Sequence, residues 1–146
     1  MAELEVDIVG GSEIWKGLEG QLAKALAAAA MYERIAGTVS LLLGDDAAIT
    51  ALNREFRGKD EPTNVLSFPP APAAEGFLGD IALAAETIAA EAQFQGKSFS
   101  AHASHLAVHG FLHLVGYDHV NDADAEVMEA RETAILRSIG IDDPYS

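Results

Sequence analysis

The chain has 146 residues, a length that fits one domain and leaves little room for a second. Apolar residues make up 49% of the sequence and cysteine is absent, so the composition allows a packed core and excludes disulfides, thiol nucleophiles and cysteine-based zinc sites. The formal net charge of −14 argues against a nucleic acid or an anionic membrane as partner, because binding to phosphates depends mainly on lysine and arginine.

The sequence also argues against a membrane span. The longest uninterrupted apolar run covers residues 25–32, far short of the ~20 residues that a spanning helix needs. The first residues are acidic and alternate with apolar ones, which is unlike a signal peptide. We therefore expect a cytoplasmic protein.

Apolar periodicity, glycines and prolines predict elements in the order β-α-β-α-β-β-α-α-α. In chain order, we expect a strand at 3–9, a helix from a cap at Ser12 to about residue 34, a strand at 38–43, a helix from a cap at Asp45 or Asp46 to about residue 56, strands at 65–68 and 78–83, and helices at 86–95, 101–115 and 122–139. Prolines 69, 70 and 72 exclude regular structure up to about residue 76.

Short polar side chains precede two of these helices as candidate caps: Asp45 or Asp46 for the second, and Ser100 for the fourth. The whole order predicts a single α+β domain over residues 1–146, with a small mixed four-stranded sheet packed against helices. It leaves the order of the strands open.

All five histidines lie within 18 residues, at positions 102, 105, 109, 113 and 119. On a helix, His109 and His113 are one turn apart, so their imidazoles can converge on one metal ion. A turn at Gly116 lets His119 supply a third nitrogen. The alternative is a buried helix whose histidines satisfy local hydrogen bonds, but the complete spacing favours a metal site at the end of this central helix.

The spacing HxxxHxxGxxH occurs in metzincin metallopeptidases, whose three histidines hold one zinc ion and leave a coordination position open. The peptidases carry a glutamate base directly after the first histidine, where this chain has Gly110. Gly110 therefore argues against a peptidase, and we expect it to leave space beside the metal for a large substrate. For His102 and His105, a supporting, substrate-facing or structural role is more plausible than ligation.

Two sequence blocks resemble one family. Residues 109–119, HGFLHLVGYDH, are similar to the signature HGxLHxxGYDH of the YbeY endoribonucleases, bacterial rRNA maturation factors. Residues 52–69, LNREFRGKDEPTNVLSFP, resemble the family's LNxxxRxxxxPTxVLSFP segment. The LGDI strand at 78–81 and the acidic last helix, followed by Asp-Pro-Tyr, also match.

The resemblance implies a zinc-dependent endoribonuclease specific for single-stranded RNA, with one Zn²⁺ held by His109, His113 and His119. It further implies maturation of the 3′ end of 16S ribosomal RNA and a part in ribosome quality control, with the small ribosomal subunit or its proteins as partner and no role for DNA. The arginine of the family's Arg-Gly pair corresponds to Arg57, for which a catalytic role is implied.

The negative charge has to be reconciled with an RNA substrate. Three of the nine basic residues, Arg54, Arg57 and Lys59, lie within six positions. Such a small cluster predicts weak, unspecific RNA binding, so we expect substrate choice to come from docking on the ribosomal subunit or on a protein. Two other functions remain open: a zinc peptidase with a replacement glutamate, and a non-catalytic ribosome assembly factor with a structural metal.

Several carboxylates and aromatic residues are candidates for lesser roles. Asp80 interrupts an apolar strand, where it can accept a hydrogen bond either from a ligand histidine or from nearby backbone. Asp118 is expected to be an exposed turn residue rather than one that positions water. The acidic side chains of the last helix, at positions 126, 129 and 132, are predicted to form a solvated face, and Trp15 and Tyr32 are predicted to be packing residues.

Overall fold

The structure, a computed structural model, describes residues 3–71 and 75–145. These residues form nine strands and helices: β1 (Leu4–Gly10), α1 (Glu19–Glu33), β2 (Gly37–Gly44), α2 (Asp46–Arg57), β3 (Val65–Phe68), β4 (Phe77–Ala84), α3 (Ala85–Gln95), α4 (Phe99–Leu114) and α5 (Asp122–Ser138). A 3₁₀ turn at Glu13–Trp15 precedes α1. The predicted order of elements and the α+β class are confirmed, while Pro72 of the predicted proline loop lies outside the described residues.

The four strands form one mixed sheet in the order β1-β2-β4-β3. Strands β1, β2 and β4 are parallel, and β3 pairs antiparallel with β4 at the edge. One face of the sheet packs against α1 and α4, with α5 behind them, and this layer holds the main core. The other face packs against α2 through a smaller cluster around Ile49 and Leu66. Helix α4 is thus the central helix, buried between the sheet and the other helices.

Two predicted helix starts are wrong. Ser12 makes no side-chain capping bond, and the chain leaves the helical path at Gly17, whose φ is +83°, so α1 begins only at Glu19. The preceding turn is held by Trp15, which is fully buried and whose indole N–H donates to the Gly44 carbonyl at 3.0 Å. A tertiary contact therefore overrides the helical pattern of the sequence here.

At α4, the cap is Ser98 rather than Ser100, since the Ser98 hydroxyl accepts a hydrogen bond from the Ala101 amide at 3.1 Å. The Phe99 ring packs against the Trp15 ring, with 5.1 Å between centroids, which draws this residue into the first turn of the helix. At α2, Asp45 is the cap, and its carboxylate accepts from the Ala48 amide at 2.7 Å. Within the described residues, no helix is long and apolar enough to cross a lipid bilayer.

Candidate metal centre

Helix α4 and the turn after it bring three imidazoles together. His109 and His113 lie one helical turn apart, with ring centroids 4.7 Å from each other. The helix ends at Leu114, and Gly116, with a φ of +112°, turns the chain back. The centroid of the His119 ring then lies 5.0 Å from that of His113 and 5.5 Å from that of His109.

The three rings fit a divalent cation. One nitrogen of each histidine lies within 4.8 Å of the other two, and this is the one group of its kind among residues 3–71 and 75–145. The Nε2 atoms of His109 and His113 are 3.2 Å apart, close to the separation of about 3.3 Å between two nitrogens bound at 2.0–2.1 Å in a tetrahedral zinc site. The donor set is therefore one that could hold a metal ion such as Zn²⁺, with a coordination position left for another ligand.

The side of His109 that faces away from this cluster contacts a carboxylate. His109 Nδ1 lies 3.0 Å from Glu132 Oε2, and the Glu132 side chain is fully buried. The prediction that Glu132 belongs to a solvated face is therefore wrong. A signal was present in the sequence, because Glu132 follows Met128 and precedes Leu136 by four residues each and so shares their buried helical face.

Glu132 also accepts bonds from the His105 imidazole and the Tyr145 hydroxyl, each at 2.5 Å. Burial acts to raise the pKa of Glu132, but the hydrogen bonds from His105, His109 and Tyr145 outweigh it and lower the pKa to about 2. Burial and the neighbouring rings of His109 and His119 lower the pKa of His113. The carboxylate therefore stays ionised at neutral pH, and His113 stays unprotonated, as a metal ligand must be.

An open cavity of about 530 Å³ gives access to the three histidines. Its walls come from α2, β3, the end of α4 and the following turn, through Arg57, Asn64, Val65, Ser67, Pro69, His109, His113, Leu114, Asp118 and His119. Arg57 is in the last turn of α2, which ends at Gly58 in a left-handed conformation, and its Nη2 donates to the Ser67 carbonyl at 3.4 Å. Arg57 is thus exposed and lies in the same cavity as the histidines.

Gly110 has a different role from the expected one. It is buried and faces the sheet, and a Cβ atom there would lie 3.0 Å from both Ile81 Cγ2 and Ser67 Oγ. The glycine therefore lets α4 approach β3 and β4 closely, and the prediction that it makes room for substrate beside the metal is wrong. A peptidase base would have to be a glutamate in the cavity. Glu132 contacts His109 on the buried side, at Nδ1, and no glutamate is among the described residues that line the cavity. The structure gives no support to a peptidase base.

The other site candidates near the histidine cluster, His102, His105 and Asp118, do not belong to the metal-binding group. His102 is buried and bonded to Glu91 at 2.9 Å, and burial lowers the pKa of His102 despite that bond. His105 bonds to Glu132, so neither histidine belongs to the metal-binding group. The Asp118 carboxylate is exposed at the cavity and accepts from the amide of His119 at 2.7 Å.

Asp80 lies on the sheet face opposite α4. It is paired with Ser40 and Phe68 on the adjacent strands, and these three residues line a separate cavity beside α2. Neither of the two hydrogen bonds expected for Asp80 is present among the described residues. Of the basic cluster, Arg57 lines the metal cavity, while Arg54 forms an exposed ion pair with Asp60 at 3.6 Å.

Comparison with known proteins assigns the family. The family model for endoribonuclease YbeY matches residues 10–140. The chain belongs to the endoribonuclease YbeY family. An endoribonuclease YbeY of Rhizobium etli is 49% identical over 99% of this chain and 95% of its own length, and one of Rhodopseudomonas palustris is 50% identical over 96% of this chain and 80% of its own.

A solved structure shares the fold of this chain. The solution structure of TM1509 from Thermotoga maritima superposes with a TM-score of 0.63 at 27% identity, covering 97% of this chain and 99% of that one. The resemblance to the YbeY family that the two sequence blocks indicated is confirmed, and the chain is an enzyme of the nuclease class. The candidate metal centre thus lies in a chain of this family and in a fold that a solved structure shares.

Proposed function

We propose that this protein is a zinc-dependent endoribonuclease that cleaves single-stranded RNA, with one Zn²⁺ bound by His109, His113 and His119 and with Arg57 as a catalytic residue. The observation that carries the proposal is the convergence of three imidazole nitrogens in an open cavity that also contains an arginine, in a chain of an endoribonuclease family. The whole chain, residues 1–146, acts as one hydrolase domain in this proposal.

The residues in and behind the cavity have separate roles in this proposal. A bound zinc ion supplies Lewis-acid chemistry at the phosphate and lowers the pKa of coordinated water. Arg57 binds the phosphate through two N–H donors and stabilises the charge that grows on it during cleavage. The present bond from Arg57 to the Ser67 carbonyl is long and exposed, so a phosphate can replace it at little cost. Glu132 holds His109 from the buried side.

The net charge of −14 bears on the choice of substrate. Among the described residues that line the cavity, Arg57 is the one arginine. Because the chain is otherwise strongly acidic, binding to free RNA is weak, and the negative charge repels RNA that is not presented correctly. We therefore assign selection of the substrate to docking on the small ribosomal subunit or its proteins. The substrate in the proposal is 16S rRNA at its 3′ end, in maturation and in ribosome quality control, within the cytoplasm.

The test uses purified protein with measured metal content, with and without a chelator, on single-stranded RNA, double-stranded RNA, single-stranded DNA and casein. We expect cleavage of single-stranded RNA alone, loss with the chelator and recovery with Zn²⁺. The variant His119→Ala should lose metal and cleavage together, because a site with two histidines lacks a ligand. Cleavage of casein, or undiminished RNA cleavage by metal-free protein, would contradict the proposal.

Arg57 is tested against a matched neighbour. Arg57→Ala should lower kcat/KM by about 10²–10³-fold, the usual effect of losing one donor to a developing negative charge, with metal content unchanged. Arg54→Ala, in the same helical turn but paired with Asp60 outside the cavity, should change it by less than about threefold. Equal losses in the two variants would assign Arg57 to general RNA binding.

A further inference from the structure

A fully buried carboxylate lies behind the candidate metal site. Glu132 reaches from α5 to α4 and accepts three hydrogen bonds: from His105 Nε2 at 2.5 Å, from the Tyr145 hydroxyl at 2.5 Å and from His109 Nδ1 at 3.0 Å. Its exposure is 0%. A buried carboxylate with three donors is held rigidly, because the loss of any donor leaves part of its charge unsatisfied.

The direction of these hydrogen bonds determines which nitrogen of each histidine ring carries the proton. When His109 donates from Nδ1, the lone pair that can bind a metal ion is on Nε2, the nitrogen that lies 3.2 Å from His113 Nε2. His105 donates from Nε2, and its Nδ1 is buried with no partner in the described chain, which suits a lone pair and not a second N–H. The Glu132 carboxylate thus accepts from three donors, and each of these donors has its hydrogen bond.

The third donor comes from the C-terminal segment. The Tyr145 ring packs edge-on against His105, with centroids 5.3 Å apart, so its hydroxyl reaches Glu132 between α4 and α5. Two hydrogen bonds hold this segment to the rest of the fold. Lys97 Nζ donates to the Pro144 carbonyl, and the Thr133 hydroxyl of α5 donates to the Asp143 carboxylate at 3.3 Å. Tyr145 is therefore connected to the metal-binding His109 through the Glu132 carboxylate.

We propose that Glu132, held in place by Tyr145 and His105, is the positioning residue that keeps His109 in the tautomer and orientation required for metal binding. The inference rests on the proposed metal site and extends it to residues outside the cavity. Partners of this kind typically contribute 10- to 100-fold to metal affinity. Tyr145 touches no ligand, so its effect on the metal passes through Glu132.

The test compares Glu132→Gln and Tyr145→Phe with the controls Glu126→Gln and Tyr32→Phe, which change an exposed glutamate of the same helix and an exposed tyrosine elsewhere. Zn²⁺ affinity is measured by competition with a chromophoric chelator. The His109 tautomer is read from imidazole ¹⁵N shifts in metal-free protein. Circular dichroism checks that each variant is folded. Neither reading depends on RNA cleavage.

We expect Glu132→Gln to weaken Zn²⁺ binding by 10- to 100-fold and to shift His109 away from the pure Nδ1–H form, because the amide offers one acceptor oxygen in place of two. Tyr145→Phe should weaken binding several-fold with the fold intact, and the controls should stay within twofold of wild type. If Glu132→Gln does not fold, Tyr145→Phe and Glu132→Asp decide the matter, with partial retention of affinity expected for the aspartate.

Wild-type affinity in folded Tyr145→Phe and Glu132→Gln would overturn the inference, as would an unchanged His109 tautomer in Glu132→Gln. The outcome is separable from that of the proposed function. Weakened Zn²⁺ binding in a protein that cleaves no RNA would support the positioning role and contradict the nuclease proposal. RNA cleavage by the wild-type protein, together with wild-type Zn²⁺ affinity in the variants, would support the nuclease proposal and contradict the positioning role.

Discussion

Replacing Gly110 with alanine measures how closely the histidine helix must approach the sheet. The added Cβ would lie 3.0 Å from Ile81 Cγ2, 3.0 Å from Ser67 Oγ and 3.3 Å from Val65 Cγ2. Overpacking of this kind costs about 1–3 kcal/mol, while alanine is favoured over glycine by about 1 kcal/mol within a helix. We therefore expect a net loss of about 1 kcal/mol in the free energy of unfolding, or about 3 °C in Tm.

Gly20→Ala is the matched control. Gly20 also lies in a helix, but a Cβ there meets nothing within 4 Å, so only the gain in helix propensity remains. We expect that variant to be more stable than wild type by about 0.5–1 kcal/mol. Thermal and urea unfolding of both variants under one buffer condition gives the comparison. Equal stabilisation by the two substitutions would refute the account of Gly110 as a packing residue.

Three further outcomes follow from the structure. The pKa of Glu132 in the fold is about 2, below its ordinary value of 4.5, so this group stabilises the fold above pH 4.5 and its contribution is lost as the pH falls to 2. The free energy of unfolding of metal-free Glu132→Gln should therefore be about 3 kcal/mol below that of wild type at pH 7. Urea unfolding at a series of pH values should show this difference shrinking to zero by pH 2, and a difference that does not change with pH would contradict the prediction. Binding to free single-stranded RNA should have a salt slope no steeper than about −2, for at most three phosphate contacts, measured by fluorescence anisotropy; a steeper slope would reveal a basic surface outside Arg54, Arg57 and Lys59. Gly79→Ala should reduce stability by more than Gly110→Ala in the same unfolding assay, because its φ is +134° and a Cβ would lie 2.5 Å from the Phe68 carbonyl oxygen.

The parts of the site that depend on local geometry could be predicted from the sequence. The spacing of His109 and His113 is one helical turn, and Gly116 permits the reversal that brings His119 back, so the convergence of the rings follows from helix geometry. The alternating strands and the Asp45 cap follow from equally local rules. Apolar periodicity therefore gave nearly all the elements, with errors confined to their ends.

The parts that depend on packing between distant segments could not be predicted. Asp80 alternates with Ile81 along β4, but only the sheet topology decides that Ile81 faces the histidine helix and that Asp80 faces α2. Gly110 has no side chain to indicate which way it faces, and its role became clear from the approach of α4 to Ser67 and Ile81. Glu132 was hidden among the many acidic residues of α5, although its helical position pointed inward.

We expect His109, His113 and His119 to bind one divalent cation together. X-ray absorption at the zinc edge, on protein loaded with one equivalent of Zn²⁺, counts the imidazoles around the metal directly. We expect three imidazole nitrogens at 2.0–2.1 Å with one further oxygen or nitrogen donor, and two imidazoles in His119→Ala. A wild-type spectrum with fewer than three imidazoles, or one that His119→Ala leaves unchanged, would contradict it.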